Sequence, residues 1–498
     1  MATHNIKGTT LHAALGLNQQ RKRHSSKVTQ DLIAMWRGVD YLFIDEVSMI
    51  GCKFLLKVHQ ALCIAWENKK PFGRINIVFT GDFAQLLPVG DTRFCSRLNT
   101  WKRATNAGQN EMFGKLLWLS VDKCVMLTEI MRQRVPENQG FVELLEWLRV
   151  GRCHDEDYDL LNLKLLCTAV PDWSLPEWTE TPVIVSNNEA KDLVNLRCAQ
   201  AFMARTGCEL HYYHVLDRQQ GKIIEHPELK DCLKGLHTGK MEQRAGMLPL
   251  VIGMPIMICS NFDIPNGVVN GCTGVLKEIR YTTDDCGQCH AHACVVALPD
   301  PGGHTLCNLA MGELPILKDA TPMTFTNPYS HKKCSIKCTQ LPIVPAFAMT
   351  AHKSQGKTLP IAIMDIQSCR GTELVYVMLS RVTSIERLRI LRPFNIKKIQ
   401  CRPSKDSQRE TPRLSILEVK SQSHGQTVPQ SPLGADLASQ TFCAPPDNLE
   451  DLEQLDAIQD TVSSLELPKN CVEPWVNKCP SGPEPENWLL KKRRLNLQ

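Results

Sequence analysis

The sequence predicts an α/β chain with parallel sheets, a small β-rich insertion and a disordered C-terminal tail. Three observations carry this. "YLFIDE" (41–46) and "INIVFTGD" (75–82) are continuous apolar runs ending in acidic residues, as in buried parallel strands with polar loops at their C-terminal ends. From 250 to 345 short runs such as "PIMICSN", "TGVLKEIRY" and "HACVVAL" alternate with Gly, Pro, Asn and Asp. After residue 400 the composition turns to Ser, Gln, Pro and charge, which buries too little apolar surface to order a chain.

Between the early strands, "GFVELLEWLRVG" (140–151) reads as a helix with Phe141, Leu144, Leu145 and Leu148 on one face and Gly151 as its stop. "TPVIVSNNEAKDLVNLRCAQAF" (181–202) reads strand, turn, helix. In the tail, Leu449, Leu452, Leu455 and Ile458 recur at helical spacing in an acidic segment, which suits a marginal local helix or a partner-binding one.

Composition bounds the class. The 498 residues are 43% hydrophobic and 22% charged, with a net charge of only +5, so any nucleic-acid groove must be local. Twenty-two cysteines lie scattered singly and are expected as reduced thiols inside the cell. No run reaches the roughly 18 apolar residues of a membrane helix, and no membrane partner is expected. "LPLVIGMPIMICSNF" is broken by Gly253 and Pro255.

The chemistry sits at strand ends. Asp45 and Glu46 close an apolar strand in the Walker B manner, one carboxylate suited to Mg²⁺ and the next to the attacking water. Gln85 follows the second strand, where a polar side chain beside a γ-phosphate can sense hydrolysis. In "LTEIMRQRV" (127–135), Arg132 and Gln133 are expected just after an apolar strand, placing an arginine to meet developing phosphoryl charge. His352, Lys353, Ser354 and Gln355 suit a phosphodiester backbone, and Ser380-Arg381 is read at the start of a helical segment as a second arginine finger.

In order, "NIKGTTLH", "FIDEVSM", "VFTGDFAQLLPV", "LTEIMRQ", "AMTAHKSQGKTL" and "YVMLSRV" resemble superfamily-one DNA helicases. "KKPFGRINIV" is similar to the signature of the Pif-type (petite integration frequency) 5′-to-3′ helicases, a group that includes Helitron-like helicases, and 248–276 resembles their strand-rich stretch. The resemblance covers residues 1 to about 395. It implies two RecA-like P-loop NTPase-type domains: 1–135 as the first, 136–250 and 346–400 as parts of the second, a barrel-like insertion at 251–345, and a tail from 401 to 498. It also implies ATP as substrate and Mg²⁺ at Asp45 and Glu46, with Arg132 and Arg381 on the γ-phosphate. Gln133 and Gly356 would lie beside the nucleotide. Thr9, His12, His352, Lys353, Ser354 and Gln355 would lie along single-stranded DNA entering from duplex junctions. Repair, recombination or telomere maintenance in the nucleus, or a mitochondrial role, comes with the family.

A phosphate loop needs Gly-x-x-x-x-Gly-Lys-[Ser/Thr] between a strand and a helix. The only Gly-Lys-Thr, at 356–358, has Ala351 where the first glycine belongs, so its match to that motif is read as coincidence. The resemblance places the Walker A loop ahead of "NIKGTTLH", so the chain is expected to begin inside the second motif and to be inactive alone. The alternatives are a non-catalytic single-stranded-DNA-binding remnant of a transposon helicase, an NTPase acting on another target, or an RNA helicase. "CGQCHAHAC" (286–294) reads as a Cys-rich hairpin or half a zinc site, "KKRR" (491–494) as a nuclear import signal or a basic tail, and Trp36, Trp66, Trp101 and Trp118 as core or interface residues.

Overall fold

Two apolar runs build the first sheet. In the computed structural model, Tyr41–Ile44 and Asn76–Phe79 pair in parallel, from Tyr41 opposite Asn76 to Ile44 opposite Phe79. The residues described are 8–17, 26–97, 104–173, 175–179, 181–263, 268–299, 309–327, 331 and 333–423. The tail stripe from Leu449 to Ile458, Trp101 and the "KKRR" segment lie outside them.

The chain divides into two units, Met1–Lys191 with Ala348–Gln454 and Asp192–Phe347 with Leu455–Gln498. In the first, strand alternation turns Leu42, Ile44, Ile77 and Phe79 onto a core with Leu55, Val58, Leu62 and Trp118. Tyr41 and Phe43, on the other face, stay 60% and 66% exposed.

The helix Cys52–Ala65 has Gly51 at its N-cap, where the side chain of Asp91 takes over. Asp91 accepts from the backbone N–H of Lys53 at 3.2 Å and of Phe54 at 2.9 Å. A Cβ on Gly51 would lie 2.3 Å from Asp91, so the cap requires glycine there. The next helix, Asn106–Leu119, is capped by the Thr105 hydroxyl. It approaches so closely that a Cβ on Gly114 would stand 1.8 Å from the Cys52 carbonyl oxygen. Its Trp118 stacks on Phe94 at 4.8 Å and meets the edges of Phe79 and Phe83. Trp118 and Trp36 are both buried, in keeping with the core reading, whereas Trp66 is 36% exposed.

"KKPFGRINIV" is a left-handed turn leading into the second strand. Phe72, Gly73 and Arg74 all have positive φ, the Phe72 N–H donates to His59 Nδ1 at 2.9 Å, and a Cβ on Gly73 would meet the Leu62 carbonyl oxygen at 2.6 Å.

A second, four-stranded parallel sheet in this unit runs in the order Ala348–Thr350, Val183–Val185, Ala362–Met364, Leu388–Ile390. Its short strands are mostly buried, as strands covered on both faces must be. The helix Gln139–Val150 buries Phe141, Leu144, Leu145 and Leu148 and ends at Gly151 with φ 68°.

Three expectations change. No strand precedes Arg132: 121–130 forms no regular secondary structure, and the N–H groups of Cys124 and Met126 donate to Ser421 Oγ and Glu418 Oε1 instead of to a ladder. Ser380 and Arg381 follow the helix Thr372–Leu379 rather than start one, because the helix opens at Gly371. Disorder does not begin at 401, since Ser407–Ser423 is a helix. Trp118 Nε1–H donates to its Glu410 at 2.8 Å, and Arg413 lies over the Trp118 ring.

The second unit begins within the helix Asn188–Thr206 and is strand-rich from His211 onward. The expected runs become Pro255–Ile258, Thr273–Thr283 and Cys289–Ala297, adjacent antiparallel strands of a seven-stranded sheet, beside a separate four-stranded sheet. "CGQCHAHAC" turns and returns along the last of these. His290 sits between the His214 carbonyl oxygen and Asp284 Oδ2, and His292 between Thr282 Oγ1 and Lys318 Nζ. Both rings are thereby engaged, and no three His, Cys, Asp or Glu converge on a metal position among the described residues.

Candidate functional site

The two sheets of the first unit deliver carboxylates, amides and guanidinium groups to one another. Asp45 leaves the first strand exposed, with Oδ1 accepting from the Thr80 hydroxyl at 2.8 Å and from the Glu46 N–H at 2.9 Å. Glu46 adopts the left-handed conformation, φ 54° and ψ 46°, which a glutamate visits only when its surroundings hold it there. Its Oε2 accepts from Gln355 Nε2 at 2.6 Å. Next to that contact is Gly356, with φ 72°, where an added Cβ would come within 3.6 Å of Glu46 Oε1.

Arg132 reaches the same segment. Its Nε donates to Thr358 Oγ1 at 3.0 Å and its Nη1 to the Ser380 carbonyl oxygen at 2.7 Å. Burial holds the Arg132 guanidinium below its ordinary pKa, while Tyr376 and Glu46 pull it back up. Arg381 is only 2% exposed, its Nε donating to the Val377 carbonyl oxygen and its Nη2 to Ser380 Oγ. Burial first, and the charge of Arg132 second, push it down to about 10. Two cations forced together in a desolvated pocket form a site that an anion relieves.

Gln85 ends the turn after the second strand, its N–H donating to the Asp82 carbonyl oxygen at 3.0 Å. The side-chain oxygens Gln85 Oε1 and Gln355 Oε1 are buried without a hydrogen-bond partner. Unpaired buried acceptors are costly, and at a site they mark where a donor belongs.

The other predicted residues are placed differently. Gln133 is buried, and its Nε2 donates to the Val382 carbonyl oxygen at 2.7 Å and toward that of Ser380 at 3.5 Å, which ties the Arg132 segment to the Arg381 turn. Ser354 is buried with its hydroxyl on the Ala351 carbonyl oxygen. Lys353 is half-buried, and His352 and Thr9 are exposed. His12, also exposed, stacks on Phe54 at 4.7 Å.

Sequence reasoning missed Thr358, Arg149 and Tyr376. Arg149 Nη2 donates to Asp82 Oδ1 at 3.0 Å, and its Nη1 faces the Tyr376 hydroxyl at 3.4 Å. Asp82 carried a signal, an acid closing a strand. Arg149 carried none, because an arginine in the last turn of a helix is ordinarily solvated.

A family profile described as PIF1-like helicase matches residues 1–159. ATP-dependent DNA helicase PIF1 of Homo sapiens is 26% identical over 422 residues, covering 81% of this chain and 54% of that protein. The Candida albicans protein of the same name is 24% identical over 458 residues, covering 80% of this chain and 49% of its own length. Among solved structures, the Pif1 helicase from Candida albicans aligns with a TM-score of 0.57 at 22% identity, covering 83% of this chain and 86% of that one. Over its first 159 residues the chain is thus similar to the PIF1-like helicases. The Bacteroides Pif1 helicase in complex with ADP-AlF3 and ssDNA gives the same TM-score, 0.57, at 21% identity over 83% of this chain and 84% of its own. At these identities the structural likeness speaks for the RecA-like α/β fold. The chain spans about half the length of the relatives it matches in sequence.

Proposed function

We propose that the Glu46 cleft is the nucleotide site of an ATP-dependent, 5′-to-3′ DNA helicase that couples ATP hydrolysis to movement along single-stranded DNA. The observation that carries this reading is the convergence of Glu46, Gln355, Arg132 and Thr358, joined by hydrogen bonds of 2.6 and 3.0 Å, beside the buried Arg381.

The exposed Asp45, held by the Thr80 hydroxyl and the Glu46 N–H, suits a hard cation that needs one or two carboxylates. With Glu46 it would hold Mg²⁺, which when bound neutralises phosphate charge. Glu46 orients the attacking water, and Gln355 fixes its carboxylate. Arg132 and Arg381 meet the charge that grows on the transferred phosphoryl group. Gln85, with its unpaired oxygen, reads the occupant of the cleft. Thr9, His12, His352 and Lys353 face the strand, and duplex junctions are the entry point. The family's work in repair, recombination or telomere maintenance, in the nucleus or mitochondria, is the corresponding cellular role.

The 498 residues contain no Gly-x-x-x-x-Gly-Lys-[Ser/Thr]. That favours a second reading, in which these residues by themselves bind single-stranded DNA without turnover. The test is DNA-stimulated ATPase of the purified chain beside Glu46→Gln, together with oligonucleotide binding across a salt series. We expect turnover indistinguishable from the Glu46→Gln background and binding that weakens steeply with salt. Robust turnover abolished by Glu46→Gln would remove the second reading. Absence of any DNA binding would remove both.

A further inference from the structure

We propose that Arg149 is a positioning residue that links the Gln85 turn to the helix Thr372–Leu379, and through it to Arg381. The proposal rests on the helicase reading above and adds a route by which the two halves of the cleft report to each other.

The route is a continuous series of hydrogen bonds and close contacts. At the first end, the Thr80 carbonyl oxygen accepts from the Val47 N–H at 3.0 Å, and a Cβ on Gly81 would lie 2.8 Å from that same Val47 nitrogen. The turn is therefore pressed against the residue that follows Glu46. Asp82 shapes it from within, Oδ1 accepting from the Ala84 N–H at 3.0 Å while its carbonyl oxygen accepts from Gln85. Arg149 Nη2 donates to this same Oδ1. Any shift of Gln85 that rotates Asp82 must move or release the guanidinium.

At the other end, Arg149 Nη1 lies 3.4 Å from the Tyr376 hydroxyl, and its guanidinium carbon is 5.6 Å from the ring centroid. The Tyr376 carbonyl oxygen accepts from the Ser380 N–H at 2.9 Å, the Ser380 carbonyl oxygen takes Arg132, and Arg381 Nε donates to Val377. One helical turn thus separates the Arg149 contact from both arginines of the cleft. Burial, with Asp82 next, pushes the Tyr376 phenol up to about 12, so it stays a neutral donor and acceptor across the working range.

Arg149 contributes little to the fold. Its side chain is 41% exposed, and ion pairs that solvent reaches add little to stability. Its forked geometry instead suits a connector that holds two partners at once.

The experiment is hydrogen exchange on the full chain with and without a single-stranded oligonucleotide, comparing the parent with Arg149→Ala, Arg149→Lys and Tyr376→Phe. In the parent, DNA is expected to alter exchange at 81–86 and 372–381 together. In Arg149→Ala, 81–86 still responds while the response of 372–381 falls at least about fivefold, with the midpoint of thermal unfolding moved by no more than about 3 °C. Tyr376→Phe should behave like Arg149→Ala, and Arg149→Lys, which keeps the charge on Asp82, should restore part of the response. The proposal is overturned if 372–381 responds equally in Arg149→Ala, or if the parent binds DNA without any response there. A parent that binds no DNA overturns the helicase reading itself, and its binding curve tells that failure apart.

Discussion

Arg381 holds a positive charge almost wholly out of water, and among the described residues no carboxylate forms a salt bridge with it. Its pKa is depressed, so the native state bears the penalty of the charged form at every pH below about 10 and is relieved only as pH rises past that value. At neutral pH the penalty is fully present. Arg381→Met, similar in length and apolar, should therefore leave stability unchanged or raise it by about 1–2 kcal/mol. Urea denaturation at pH 7 checks this, and a clear loss of stability would mean that the hydrogen bonds to Val377 and Ser380 outweigh the desolvation. Glu46 shows the same character in its backbone, a left-handed conformation that its surroundings must hold in place. Neither property was legible in the sequence. The motifs named the residues, but the strain and the mutual repulsion depend on what packs around them.

Between elements, Gly114 fixes a distance that no other residue tolerates. Gly114→Ala improves helix propensity by about 1 kcal/mol in isolation. Here its Cβ would enter the Cys52 carbonyl, so the net effect should be a loss of more than about 2 kcal/mol, read from the urea midpoint. Much at this scale was legible. The strands at 41–44 and 76–79 and the helix ending at Gly151 follow from apolar runs, period and stop signal. What was not legible depends on remote partners. The helix Ser407–Ser423 is polar and carries Pro412, so composition reads it as disorder. It is ordered by Trp118, 292 positions away from Glu410. Gln133, expected beside a nucleotide, donates its side-chain N–H to a carbonyl 249 positions on. Periodicity sees neither.

Across the whole molecule, the chain leaves its first unit at Asp192 and returns to it at Ala348, so the strand-rich unit is an insertion in sequence. That unit has its own core, from Tyr213 and Leu248 through Val296 to Ile343. The first unit is less evenly clothed. Among the described residues its first sheet has two strands, with Tyr41 and Phe43 uncovered, and the segment at 121–130 leaves Val125 80% and Leu127 93% exposed. Bare apolar surface of this kind promotes association. The double substitution Tyr41→Lys, Phe43→Lys should slow concentration-dependent aggregation and reduce binding of an apolar dye, without lowering the thermal midpoint. Unchanged aggregation by light scattering would locate the sticky surface elsewhere.

The uncovered side of that sheet also bears on how long each molecule survives. Wherever that face stays uncovered, its aromatic strand residues offer chaperones and proteases a feature of incompletely folded chains. The chain's abundance in a cell would then be set by the traffic of quality control as much as by its rate of synthesis.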